Sequence, residues 1–175
     1  NLYCALPPSG NWQLNYPNTQ PAMFSELCSI DQGPQNAGTL YALDKDGSIW
    51  ACSVPGGTWS STAVPATPVP MASFSIAQWM AGMVNGNPVI QTNFYAIDTE
   101  NKFWGCIVGQ TGWKVNFPSA PPATLGKLFP TTASFTAVYT YAADFAGNYY
   151  YLNSSTGQWF ENTPVGLPQP SSTDG

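Results

Sequence analysis

The chain has 175 residues, enough for one domain with a substantial core. Only 7% of them are charged, the formal net charge is -5, and the basic residues are four Lys with no Arg and no His. That balance excludes a nucleic-acid surface, which needs a basic patch. It disfavours an anionic membrane and removes Ser–His and Cys–His catalysis. No apolar run approaches the roughly 18 residues of a membrane span. Aromatics reach 14%, with 16 Gly and 17 Pro. Disorder goes with few aromatics, so this composition describes a compact, turn-rich β domain instead.

Taken in chain order, the first element is a half-unit, residues 1–20. Tyr3 lies nine residues ahead of Trp12, which opens "WQLNYP". The first full unit, 21–70, carries "LYALDKDGSIWAC" from Leu40 and then Trp59, nine residues after Trp50. The second, 71–126, carries "FYAIDTENKFWGC" from Phe94 and then Trp113, which opens "WKVNFP". The third, 127–165, carries "TYAADFAGNYYYL" from Thr140 and then Trp159, which opens "WFENTP". Residues 166–175 read as a linker-like tail. The repeats align without gaps, at a spacing of 54 and then 46 residues, which suits a β module of the propeller kind.

The turn logic is physical. Gly47, Asn101 and Gly147 share one column, and Gly and Asn tolerate positive φ. Asp44, Asp98 and Asp144 stand three residues ahead, flanked by apolar alternation, which is a hairpin signal. After the turn, Trp50, Cys52 and Val54 share a face with matching positions Trp104, Cys106 and Val108, and Tyr150 and Leu152. That face is expected to pack on a neighbouring sheet. Phe24, Phe74 and Phe135 each open a stretch expected to be an earlier strand. "PATPVPM" and "PSAPPATLGKLFP" read as connectors. The fold expected is therefore all-β, with propeller-like antiparallel repeats: three full units plus an N-terminal half-unit. The half-unit leaves an edge to be covered: another chain completes it, it caps the sheet stack, or residues upstream belong to it, and the first of these implies a homo-oligomer formed through it.

These repeats resemble those of small β-propeller lectins. "YALDKDGSIW…GGTW" and "YAIDTENKFW…TGW" are similar to blades of fungal and bacterial fucose-binding lectins, and "LYCALPPSGNW" to the tachylectin and tectonin groups. The resemblance covers residues 24–165 and implies glycans as partners. The fucose lectins hold sugar with an Arg before the repeat Tyr and a Glu after the turn. Here those columns hold Thr39, Asn93 and Tyr139, and Ala51, Gly105 and Tyr151. Fucose specificity does not carry over, and a sugar site must rely on aromatics and amides.

The ligand-binding candidates are accordingly Trp12, Trp59, Trp113 and Trp159, with Asn15, Asn116 and Asn162, and the non-recurring Trp79. A Trp repeated in every unit also suits blade packing. Asp44-Lys45-Asp46-Gly47 has the look of a calcium loop, yet a turn explains it and no metal or cofactor is expected. Five of the nine acids lie in the repeated turns, so no catalytic residue is assigned. Cys4, Cys28, Cys52 and Cys106 allow two disulfides. Cys28–Cys52 with Cys4–Cys106 is one pairing; Cys4–Cys28 with two free thiols is another. Asn153-Ser154-Ser155 is an N-glycosylation sequon. Even cysteines, a sequon, few charges and many Ser, Thr and Pro point to a secreted, extracellular chain; no basic segment precedes an apolar one, so any signal peptide is expected to have been removed already. The function expected is non-catalytic carbohydrate binding. The alternative is a structural protein whose chains complete one another into a ring or filament.

Overall fold

The computed structural model describes residues 3–6, 11–14, 20–30, 38–54, 57–110, 112–129 and 139–161. All regular structure among them is β. A leading hairpin pairs β1 (Tyr3–Leu6) with β2 (Asn11–Leu14) as a separate two-stranded sheet. Three four-stranded antiparallel sheets follow. Sheet 1 holds β3 (Phe24–Ile30), β4 (Gly38–Asp44), β5 (Ile49–Val54) and β6 (Ser60–Ser61). Sheet 2 holds β7 (Met71–Val84), β8 (Asn87–Asp98), β9 (Phe103–Ile107) and β10 (Lys114–Val115). Sheet 3 holds β11 (Leu125–Phe129), β12 (Tyr139–Asp144), β13 (Tyr149–Asn153) and β14 (Gln158–Glu161). In each sheet the strands run in sequence order from one edge to the other, the meander of a propeller-like blade.

One turn recurs between the second and third strands of every sheet. Gly47, Asn101 and Gly147 sit at φ of 82°, 65° and 87°, where glycine and asparagine are tolerated. Ahead of each, an aspartate caps the turn. Asp98 Oδ1 accepts the amides of Glu100 at 2.8 Å and Lys102 at 2.9 Å, and its Oδ2 accepts Trp104 Nε1 at 2.8 Å. Asp44 repeats the set with Asp46, Ser48 and Trp50. Asp144 does so with Ala146 and Asn148, adding the Asn148 side chain and the Tyr150 hydroxyl. These oxygens are occupied by the turn itself.

The sheets stack face to face, and alternation along each strand assigns the two faces. Leu43, Ile49 and Cys28 of sheet 1 meet Phe74, Ile76, Phe94 and Cys106 of sheet 2. The opposite face of sheet 2, with Tyr95, Ile97 and Phe103, meets Leu125, Leu128, Ala142, Tyr150 and Leu152 of sheet 3. Ala42, Cys52 and Trp59 form a third cluster with Phe24, Leu27, Leu40 and Trp50 on the outer face of sheet 1. The Cys106 and Leu152 columns thus each face the preceding sheet. Val108 falls just past β9 and is exposed. The first strands of sheets 2 and 3 are stapled by serines. Ser73 Oγ donates to Leu128 O at 3.3 Å and accepts the Leu128 amide at 3.0 Å, while Ser75 Oγ donates to Phe129 O at 3.1 Å.

Two expectations change. The first strand of the third unit is β11, inside the stretch read as a connector. The boundary drawn at 126 therefore falls within a strand, and Phe135 lies outside the described residues. Proline density around "TLGKLF" masked a strand of only five residues. The disulfides also differ: Cys28, Cys52 and Cys106 are all buried free thiols. Cys28 pairs across to Tyr41, and Cys52 to Leu40, the neighbouring residue on β4. They therefore point to opposite faces of sheet 1, with a strand between them, and cannot bridge. Cys4 carries no described side chain. Burial pushes the Cys28, Cys52 and Cys106 thiols up from their ordinary value, so none has thiolate character.

Candidate binding surface

The closing tryptophans are placed for packing. Trp59 is buried in the cluster outside sheet 1 and tilts against Phe24 with ring centroids 4.7 Å apart. Trp113 packs against the core between sheets 1 and 2, and its Nε1 donates to Pro65 O at 2.9 Å. Trp159 sits edge-on to Phe103 at 5.2 Å and donates to Ser119 O at 3.3 Å. Pro65 lies six residues beyond Trp59, and Ser119 six beyond Trp113. Each of these two tryptophans thus ties its unit to the connector leaving the previous one. Asn116 is exposed at φ 53°, and its amide donates to Phe103 O on β9, just past the β9–β10 pairing. Trp79 is half-buried on β7 opposite Gln91. Trp12 lies on β2, but its side chain, like Asn15 and Asn162, lies outside the described residues. Asn153 is half-buried at the end of β13, where its Oδ1 accepts the Ser155 hydroxyl at 2.7 Å, and Ser154 between them is buried.

What the structure assembles instead is an aromatic row on the outer face of sheet 3. Phe129 pairs with Tyr141, Tyr141 with Tyr151, and Tyr151 with Phe160, so one residue from each of the four strands lines up across the sheet. Tyr151 stacks on Phe160 with centroids 4.9 Å apart. Tyr139 meets Tyr151 edge-on at 5.2 Å, and Tyr149 stacks with Phe129 at 6.0 Å. Tyr139, Tyr141 and Phe160 are exposed. Three strand spacings of about 4.8 Å make the row roughly 14 Å from first to last ring. Just beyond it Phe145, 70% exposed, lies over Gly126, where a Cβ would stand 3.1 Å from the ring.

The same columns in the other sheets look different. The row in sheet 1 is Cys28, Tyr41, Ala51 and Ser60; in sheet 2 it is Ser75, Tyr95, Gly105 and Lys114. Small residues there let the next sheet close in, and Tyr41 and Tyr95 are covered: Tyr41 meets Phe94 at 5.3 Å, and Tyr95 is fully buried. Sheet 3 has bulky rings at every one of these positions. Column alignment picks out Tyr139 and Tyr151 only as departures from the lectin Arg and Glu. The signal that finds the row is alternation in "YYYLN" read against "FTAVYTY", which puts Tyr139, Tyr141 and Tyr151 on one face.

Beside β3 a cavity of about 620 Å³ is lined by Gln20, Met23, Phe24, Glu26 and Leu27, among others. Burial raises the Glu26 carboxyl, partly offset by Lys127. Glu26 is the one carboxylate among the described lining residues, whereas the usual glycoside hydrolysis needs two. No group of three or more His, Cys, Asp or Glu among the described residues is placed to hold a metal ion. No helix among them is long and apolar enough to cross a membrane.

No family model and no curated protein matches the chain. Among solved structures, one titled "YCF48 bound to D1 peptide" is similar at a TM-score of 0.38 and 12% identity. The match covers 81% of this chain and 46% of that one, so the chain spans less than half of its length. The fold assignment stands on the three meander sheets themselves.

Proposed function

We propose that the protein is an extracellular, non-catalytic carbohydrate-binding protein whose site is the aromatic face of sheet 3. One observation carries the reading: a four-ring row, Phe129–Tyr141–Tyr151–Phe160, stands where each of the other two sheets has a single ring, Tyr41 or Tyr95, covered by the next sheet. Pyranose rings present C–H faces that stack on aromatic planes, and a tyrosine hydroxyl supplies both a donor and an acceptor for sugar hydroxyls. The face carries no acid, and the chain has only four lysines, so a neutral glycan fits better than an anionic one. Bulk at Tyr151, where Ala51 and Gly105 allow sheet contact, favours a ligand over a further blade on this face.

The test is a glycan array followed by titration of neutral oligosaccharides against the chain and its Tyr151→Ala and Tyr141→Ala forms. Each ring is expected to contribute about 0.5–1.5 kcal/mol, so each variant weakens binding roughly 2- to 12-fold while keeping the far-ultraviolet dichroism of the folded parent. Unchanged affinity in both variants, or no glycan retained on the array, sinks the proposal.

A further inference from the structure

Strands β7 and β8 are 14 and 12 residues long, about twice the length of their counterparts in sheets 1 and 3. Their inner halves are ordinary blade. β9 flanks β8 only over Asn93–Ile97, and one further bond, from the Val108 amide to Thr92 O, marks the limit. Gln78 Nε2 bonds Thr92 Oγ1 at 3.1 Å across the base. Beyond it, Trp79 to Gln91 form a two-stranded finger closed by Asn85 and Gly86 at φ 52° and 78°. Both positive φ values define the tight hairpin turn that Asn-Gly specifies.

The finger is apolar on both faces. Met80 and Ile90 are cross-strand partners on one side, as are Met83 and Pro88; Val89 points to the other. Met80, Met83, Val84, Val89 and Ile90 are all exposed. No charged residue occurs from Met71 to Ile97. β7 is the edge strand of sheet 2, and among the described residues no strand pairs with the outer part of β8, so neither edge of the finger has a strand partner among them. Natural edges are blunted by charge or proline. Pro88 does this for β8 by removing a donor. β7 from Trp79 to Val84 has neither; its only irregularity is the register shift at Ala81.

We propose that this edge of β7 pairs with the same edge of a second copy of the chain, burying Met80, Met83 and Val84 in the joint. Open backbone edges disfavour a lipid core, where each unpaired N–H or C=O costs several kcal/mol. They suit a strand partner, which satisfies them. Copies of a chain at net charge -5 repel wherever acidic faces meet. The uncharged finger is where two can approach without that opposition. Pairing one edge with itself is two-fold and closed, so association stops at a dimer.

Sedimentation across a concentration series tests this, with amide exchange on the unaltered chain. The expected result is a shift from one copy toward two, with amides of Trp79–Val84 slowing as concentration rises while those of Tyr139–Tyr151 do not. Met83→Asp with Val84→Asp should loosen association at least about 100-fold by burying unpaired charge. Met23→Asp, at an exposed site outside the finger, should leave it intact. A chain that stays single at all concentrations overturns the proposal, as does dimerisation untouched by the double variant. Finger-dependent binding to phosphatidylcholine vesicles by a chain that never dimerises reassigns the finger to lipid and overturns it too.

Discussion

Asp98 shows how one side chain holds a turn. Its carboxylate satisfies two backbone amides and the Trp104 indole N–H. Burial alone would raise its pKa. The Trp104 bond, the Lys102 and Glu100 amides and the Lys102 charge outweigh that and hold it below the usual carboxylate value. Asp98→Ala leaves these donors without a partner, and a loss of about 1–3 kcal/mol in urea unfolding is expected. Because the folded-state pKa is lowered, this stabilisation is complete above the unfolded value of about 3.9. It is lost as pH falls through the lower folded value. Denaturation midpoints measured from neutral to acid pH should fall in that window, and the fall should be shallower in Asp98→Ala. An equal slope in both proteins would count against the assignment. Tyr95 is a second buried anchor, its hydroxyl accepting Asn93 Nδ2 at 2.9 Å.

At the scale of the element, the contacts between first strands matter as much as the ladders. Ser73 is buried and serves Leu128 both as donor and as acceptor. Ser73→Ala removes the one hydroxyl that serves both the Leu128 N–H and the Leu128 C=O and should cost about 1–3 kcal/mol, readable as a lower unfolding midpoint. A variant that unfolds like the parent would show that the staple contributes nothing. The finger follows local chemistry more simply. Asn-Gly between apolar strands is a strong hairpin signal, and it was present in "MVNGNPV". The eight extra residues in the first repeat spacing, 54 against 46, are in keeping with this insertion. Gly86→Val places a β-branched residue at φ 78° and should fray the tip while leaving the sheet cores intact.

Across the whole molecule the sheets share their cores, so they should unfold together. Phe94 of sheet 2 is 1% exposed and touches both Phe74 of its own sheet and Tyr41 of sheet 1. Phe94→Ala should cost about 3–5 kcal/mol and lower one common transition, measured by tryptophan fluorescence and far-ultraviolet dichroism together. Transitions that separate between the two probes would mean the sheets unfold independently. The buried thiols add no covalent tie between sheets 1 and 2, so that coupling rests on packing.

The sequence by itself determined the repeat, the turns and the strand faces. These depend on local rules: a glycine or asparagine where φ is positive, an aspartate to cap the turn, and alternation with period two. It also placed a Trp at the end of each unit. Only the tertiary structure decided what those features face. Trp113 and Trp159 bond connectors 48 and 40 residues away, a partnership set by sheet stacking rather than by neighbours in the chain. Cys28 and Cys52 were separated by strand register, which composition does not carry. Tyr141 occupies the same column as Tyr41 and Tyr95, yet it alone among them is exposed. A residue's column fixes the face it points to; whether another sheet covers that face is decided by packing, and it is the uncovered one that makes the proposed site.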